Sequence, residues 1–211
     1  MPNLLSISIG PQRLEGELCL VDPPCGVVVF AHGSGSSRRS RRNMQVAEAL
    51  QRAGLGSLLF DLLTDDEAEN RANVFDIPLL AQRVMNAIDD LSSRSDQPIG
   101  LFGASTGAAA ALVAAARRPQ AVRAVVSRGG RPDLAGNALN EVLAPTLLIV
   151  GGADTEVLAM NRAALDRLHC EKRLEIVPRA THLFEEAGAL AVVASLAGAW
   201  FLEHLRPNPG G

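Results

Sequence analysis

The sequence predicts an α/β fold, a mostly parallel sheet of about eight strands with helices on both faces, and three observations predict it. Strand-like and helix-like segments alternate along most of the 211 residues, the order expected when parallel strands are joined through helices. Several strand-like segments are continuous apolar runs, Gly26-Val27-Val28-Val29-Phe30-Ala31 among them, as strands covered on both faces require. One strand, 98 to 102, runs through Gly103-Ala104-Ser105-Thr106-Gly107 straight into the alanine-rich stretch Ala108 to Ala116, a strand turning abruptly into a helix around one serine.

Taken in order, residues 4 to 9 and 14 to 21 alternate apolar and polar, with Gly10-Pro11 between them, which fits two antiparallel strands at a sheet edge. Pro23-Pro24 ends that pattern and the 26 to 31 run follows. Helix-like 43 to 53 then leads to strand 56 to 60, helix-like 75 to 93 to strand 98 to 102, and the helix after Ser105 to strand 122 to 126. A helix-like piece at 133 to 142 precedes strand 145 to 150, helix-like 156 to 168 precedes strand 173 to 177, and a helix over 187 to 205 closes the fold. Residues 1–206 read as one domain and 207–211, Pro-Asn-Pro-Gly-Gly, as a loose tail. The connection from Val126 to Pro145 is long enough for a loop and a short helix but not for a separate lid, so no cap domain is expected and the cleft should be open. The acidic segment Thr64 to Asn73 could overhang one rim of it.

Composition narrows the class. With 47% hydrophobic and 20% charged residues, the chain has the balance of a globular domain, and at this length folding buries about 70% of the unfolded surface. A net charge of −3 argues against nucleic acid as the main partner. No apolar run reaches membrane-spanning length and no basic-then-apolar leader opens the sequence, so a cytoplasmic location away from membranes is expected. Cys19, Cys25 and Cys170 have no metal-type spacing and read as ordinary buried thiols.

In parallel sheets the loops at the carboxyl ends of the strands form the ligand crevice. The Gly-x-Ser-x-Gly spacing alone is weak, but a serine on a tight strand-to-helix turn needs near-naked neighbours two residues away. Its place at a helix N-terminus favours developing negative charge. Ser105 is therefore the candidate nucleophile. After Ala31 comes His32-Gly33-Ser34-Gly35-Ser36-Ser37, a loop whose Ser34 N–H, with Thr106 N–H, could hold the oxyanion of a tetrahedral intermediate. His32 reads as a buried imidazole bracing that loop and not as the base.

After Val150, Gly151-Gly152-Ala153-Asp154 offers a carboxylate that can fix a histidine tautomer. Asp154 could equally cap the helix that starts there, and Glu156 is the reserve acid. After the last strand, Thr181-His182-Leu183-Phe184 supplies His182, whereas His169 and His204 fall near helix ends. The chain order Ser105, Asp154, His182 is that of one hydrolase superfamily. Arg38-Arg39-Ser40-Arg41-Arg42 is either a solvated helix entry or an electrostatic funnel for an anionic substrate.

On these strand ends, together with Phe60-Asp61-Leu62-Leu63, the chain resembles a serine member of the dienelactone hydrolase-like branch of the α/β-hydrolase superfamily, over nearly its whole length. The resemblance implies Ser105, His182 and Asp154 as a catalytic triad and Ser34 and Thr106 as oxyanion-hole donors. True dienelactone hydrolases use a cysteine nucleophile, so their substrate specificity does not carry over. The expectation is a hydrolase acting on a small-molecule carboxylic ester, lactone or thioester through an acyl-enzyme, with no metal or organic cofactor. The competing expectation is a non-catalytic binding or scaffold protein that retains the fold.

Overall fold

Two antiparallel strands, β1 (Asn3–Ile9) and β2 (Leu14–Leu20), form one edge of the sheet. The computed structural model describes residues 3–22 and 25–206; Pro23-Pro24 and the expected tail 207–211 lie outside the described residues. β3 (Val27–Ala31), β4 (Gly56–Phe60), β5 (Ile99–Ala104), β6 (Val122–Arg128), β7 (Thr146–Gly151) and β8 (Lys172–Val177) complete an eight-stranded sheet in the order β1-β2-β4-β3-β5-β6-β7-β8. From β4 to β8 every pairing is parallel. The continuous apolar runs are the central strands: β3, β4, β5 and β7 are buried at every residue.

Helices cover both faces, and the period of two along each strand decides which residue meets which. Val27, Val29 and Ala31 pack with α3 (Ile77–Arg94) and α4 (Thr106–Arg117), while Val28 and Phe30 pack with α1 (Arg41–Arg52) and α6 (Ala189–Leu205). The alanines of α4 have a packing reason: Ala108 to Ala111 are each no more than 1% exposed, so the helix axis lies close to the sheet where a larger side chain would not fit. α5 (Thr155–Arg167) sits against β7 through Val150, Val157 and Leu158.

The segment expected to be helical at 133 to 142 is 3-10 rather than α, over Pro132–Glu141, and it breaks at Gly136, whose φ of 56° and ψ of −132° no helix contains. A left-handed glycine interrupts the i to i+4 ladder, which the apolar spacing alone does not reveal. This segment packs on α4 and α5, and no cap domain rises from it. The second departure is α2 (Asp65–Glu69), a short helix inside the acidic segment. It has no apolar face to betray it, but Thr64 and Glu67 form a reciprocal capping box at its start. No helix among the described residues is long and apolar enough to cross a membrane.

Candidate active site

Ser105 stands between β5 and α4 with φ 51° and ψ −122°, a backbone conformation that costs a non-glycine residue about 1–3 kcal/mol. The flanking glycines are there for space. A Cβ on Gly103 would lie 2.4 Å from Ala108 Cα, and one on Gly107 would lie 2.2 Å from Ala31 O. The turn is strapped to the end of β6 from both sides: Ser105 N–H donates to Arg128 O at 3.3 Å, and Arg131 N–H donates to Ser105 O at 3.1 Å. Asn161 of α5, fully buried, donates to Gly130 O at 3.0 Å and holds that strap in turn.

His32 braces the neighbouring loop as the sequence suggests. Its Nδ1 meets Gly33 O and its Nε2 meets Leu62 N–H, both at 3.0 Å. A carbonyl can only accept and an amide N–H can only donate, so the ring is neutral with its proton on Nδ1. Burial lowers the pKa of this imidazole, against a smaller upward pull from Gly33 O and Asp61. The loop packs directly on the Ser105 turn, since a Cβ on Gly33 would come within 3.0 Å of Ser105 Cβ.

The two expected oxyanion donors differ in state. Thr106 N–H is at the first position of α4, where a helix leaves its donors without intrahelical partners. Ser34 N–H is engaged: it donates to Thr106 Oγ1 at 3.0 Å. This bond joins residues 72 apart in the chain, and nothing in either local sequence announces it.

Asp154 is the N-cap residue of α5, yet its side chain makes no capping bond. Its carboxylate instead accepts from His182 Nδ1 at 2.7 Å. With the Nδ1 proton committed to a carboxylate, the neutral ring presents Nε2 as an acceptor. Asp154 is mostly buried, its side chain 16% exposed, and His182 is 38% exposed. Glu156, the reserve acid, is exposed on the first turn of α5.

The turn carrying His182 is fastened by Glu186, whose carboxylate accepts from Thr181 N–H at 3.0 Å and Thr181 Oγ at 2.6 Å. On its other side Phe184, with φ 54°, is buried in the core under α6. The ring of His182 lies over Gly129, where a Cβ would approach its Cε1 to 3.6 Å. Ser105 and His182 thus pack on the same short segment, 128 to 131. Among the described residues no hydrogen bond joins Ser105 Oγ to His182 Nε2; the direct links are His182 to Asp154 and Ser34 to Thr106.

A cleft of about 690 Å³ opens beside Thr106, walled by residues 32 to 39 and 61 to 65. Ala68 of the acidic segment and Val74 just beyond it also line the cleft, so that segment borders it along one rim. Arg83, only 5% exposed, pins that rim from α3 by an ion pair to Glu67 at 2.6 Å. The arginine run is not uniform. Arg38 is mostly buried between Asp61 and Glu15, Arg42 pairs with Glu185 at 3.0 Å, and Arg39 and Arg41 face solvent. One group with metal-ligand chemistry, Glu171, Glu203 and His204, lies at the amino ends of the strands, away from the cleft.

The alpha/beta hydrolase domain family matches residues 24–189. A crystal structure of dienelactone hydrolase from Anabaena variabilis superposes with a TM-score of 0.93 at 56% identity, covering 98% of this chain and 99% of that one. Two Mycobacterium tuberculosis proteins, from strains H37Rv and CDC 1551 and each named as a proposed phosphoribosyl transferase, are 56% identical over 211 residues. That alignment covers 98% of this chain and 48% of theirs, so the chain spans about half the length of the curated relatives it matches. Est1E from Butyrivibrio proteoclasticus, 16% identical with a TM-score of 0.77 over 94% of this chain and 98% of that one, shares the fold.

Proposed function

We propose a serine-hydrolase mechanism on the premise that the chain belongs to the alpha/beta-hydrolase family, in its dienelactone hydrolase-like branch. The substrate is a carboxylic ester, lactone or thioester of small-molecule size. Ser105 Oγ attacks the carbonyl carbon as its proton passes to His182 Nε2, and a tetrahedral oxyanion forms. His182 then protonates the leaving oxygen or sulfur, leaving Ser105 acylated. Water repeats the sequence, giving its proton to His182 and releasing the acid. Asp154 holds the ring in the required tautomer and stabilises the imidazolium. Thr106 N–H and Ser34 N–H receive the oxyanion, Ser34 exchanging the Thr106 hydroxyl for the substrate oxygen. In this reading residues 1–206 act as one catalytic domain.

The observation that carries the reading is the 2.7 Å bond from His182 Nδ1 to Asp154. A carboxylate at an N-cap has free helix N–H groups within reach, and capping with it is worth about 1 kcal/mol. Asp154 forgoes that bond for the histidine, which a binding or scaffold protein has no reason to preserve. The phosphoribosyl transferase name belongs to proteins about twice this length, and the reading leaves that activity with them.

The test is a serine-directed fluorophosphonate incubated with the native protein and with Ser105→Ala, read by intact mass. One adduct on the native chain and none on the variant is expected, together with loss of p-nitrophenyl acetate hydrolysis in the variant. Equal labelling of both, or undiminished turnover by Ser105→Ala, would place the nucleophile elsewhere.

A further inference from the structure

The end of β6 carries a cation for which the proposed chemistry has no use. Arg128 is 7% exposed, and its guanidinium faces the first turn of α1, where Nη2 reaches Asn43 Oδ1 at 3.4 Å. Asn43 is itself 2% exposed. The Nε–H of Arg128 is buried and, among the described residues, has no acceptor. The charged group that acts on it is another cation, Arg42; burial first, and Arg42 second, lower its pKa to about 10. At neutral pH it is therefore still charged.

The electrostatics do not balance with protein groups alone. A buried ion without a counter-ion costs several kcal/mol, and one long hydrogen bond to a neutral amide returns about 1 kcal/mol at best. The N-terminus of α1, a helix of 12 residues, adds roughly half a positive charge at the same place. Ser40 Oγ accepts from Asn43 N–H at 3.4 Å, while the N–H groups of Arg41 and Arg42 come earlier in the turn and have no intrahelical acceptor. A buried planar fork, a second guanidinium and free helix N–H groups converge with the same sign, the donor set that oxyanions select.

We propose that Arg128, Arg42 and the first turn of α1 form a binding site for a small oxyanion, a carboxylate or phosphate group. Arg128 supplies the buried fork. Arg42, released from exposed Glu185, closes over the ion. The site lies on the α1/α6 face of the sheet. The group can arrive as a free ion or as part of a larger ligand, and both sources use the same donors.

The test is thermal denaturation of the full chain titrated with inorganic phosphate at constant ionic strength, alongside Arg128→Met and Arg42→Gln. The native protein should show a saturable rise in Tm. Arg128→Met should lose it and, without phosphate, melt at or above the native temperature because an uncompensated charge is gone. Arg42→Gln, at a partly exposed position that does not threaten folding, should raise the half-saturating concentration about tenfold. No saturable rise in the native protein, or a rise in Arg42→Gln or Arg128→Met equal to the native one, overturns the proposal. A kinetic arm separates the sources: phosphate competing with a carboxylate-bearing ester but not with a neutral one supports the site with the anion on the substrate. Unchanged rates on both esters, with the melting shift intact, support it with a free ion. The melting arm does not depend on ester hydrolysis, so its failure and a failure of the proposed function are distinguishable.

Discussion

Asp154 stands at the start of α5 and gives its carboxylate to His182, 28 residues on and 2.7 Å away, rather than to the helix it begins. The two roles a carboxylate can have at that position predict opposite outcomes on substitution. In Asp154→Asn the amide no longer holds the imidazolium or the tautomer, so kcat for a p-nitrophenyl ester should fall by roughly four orders of magnitude. Stability to urea should stay within about 0.5 kcal/mol of native, since no cap bond is lost. A stability loss of about 1 kcal/mol with retained turnover would return Asp154 to a capping role.

His32 makes stability depend on pH. Its pKa is lowered in the folded protein by burial, so the unfolded chain takes up a proton that the native state refuses. The contribution is fully present above the ordinary imidazole value of about 6.5, declines as pH falls below it toward the folded value, and levels off once both states are protonated. His32→Phe leaves Gly33 O and Leu62 N–H without partners and should cost about 2 kcal/mol at pH 8. The gap from native should narrow by pH 5; urea melts giving the same gap at both would show that His32 is not the titrating brace.

Thr106 Oγ1 occupies the Ser34 N–H at 3.0 Å, so in the proposed mechanism an incoming oxyanion would displace a bond worth about 1 kcal/mol. Thr106→Val keeps the shape and removes the competitor. Its kcat/KM should match or exceed native by up to about fivefold, even as the loop loosens slightly. A fall of tenfold or more would make the hydroxyl a participant and not a placeholder.

The cleft rim depends on Arg83. Glu67→Gln keeps one capping acceptor but strips the counter-charge from a guanidinium that is 5% exposed, which should cost about 2 kcal/mol in urea denaturation. With α2 released, KM for bulky esters should rise more than kcat falls. Equal KM for bulky and small esters would separate the rim from substrate contact.

The strands were legible because burial on both faces demands unbroken apolar runs, and β3, β5 and β7 have them. Of the three proposed catalytic residues, Ser105 and Asp154 are legible because each follows such a run, whereas His182 follows β8, a mixed strand in which only Val177 is buried, and is legible as the histidine on a loop just beyond a late strand. What escaped depends on contacts far apart in sequence. β6 reads as ending at Val126 because Ser127 and Arg128 are polar, yet both are buried at its carboxyl end. An arginine directly before Gly129-Gly130 is the available signal, a weak one because arginine is ordinarily a surface residue. Glu186 and Arg83 act through partners on other turns or helices, and Thr106 hides its bond to Ser34 behind a separation of 72 positions in the chain.

The parallel ladders act as a ruler. Ala31 pairs with Gly103, Ala104 with Arg128, Arg128 with Ile149, and Gly151 with Val177, so the loops bearing Ser34, Ser105, Asp154 and His182 start at nearly one level across five adjoining strands. A slip of one residue at any ladder displaces one group by about 3.3 Å and inverts the faces of that strand. That displacement exceeds the length of the Asp154–His182 bond itself. A chain misassembled by a single step would retain nearly all its helices and most of its buried area, and it would be inert. Recovery of the proposed esterase activity after refolding would therefore report strand alignment, which circular dichroism would score as native in either case.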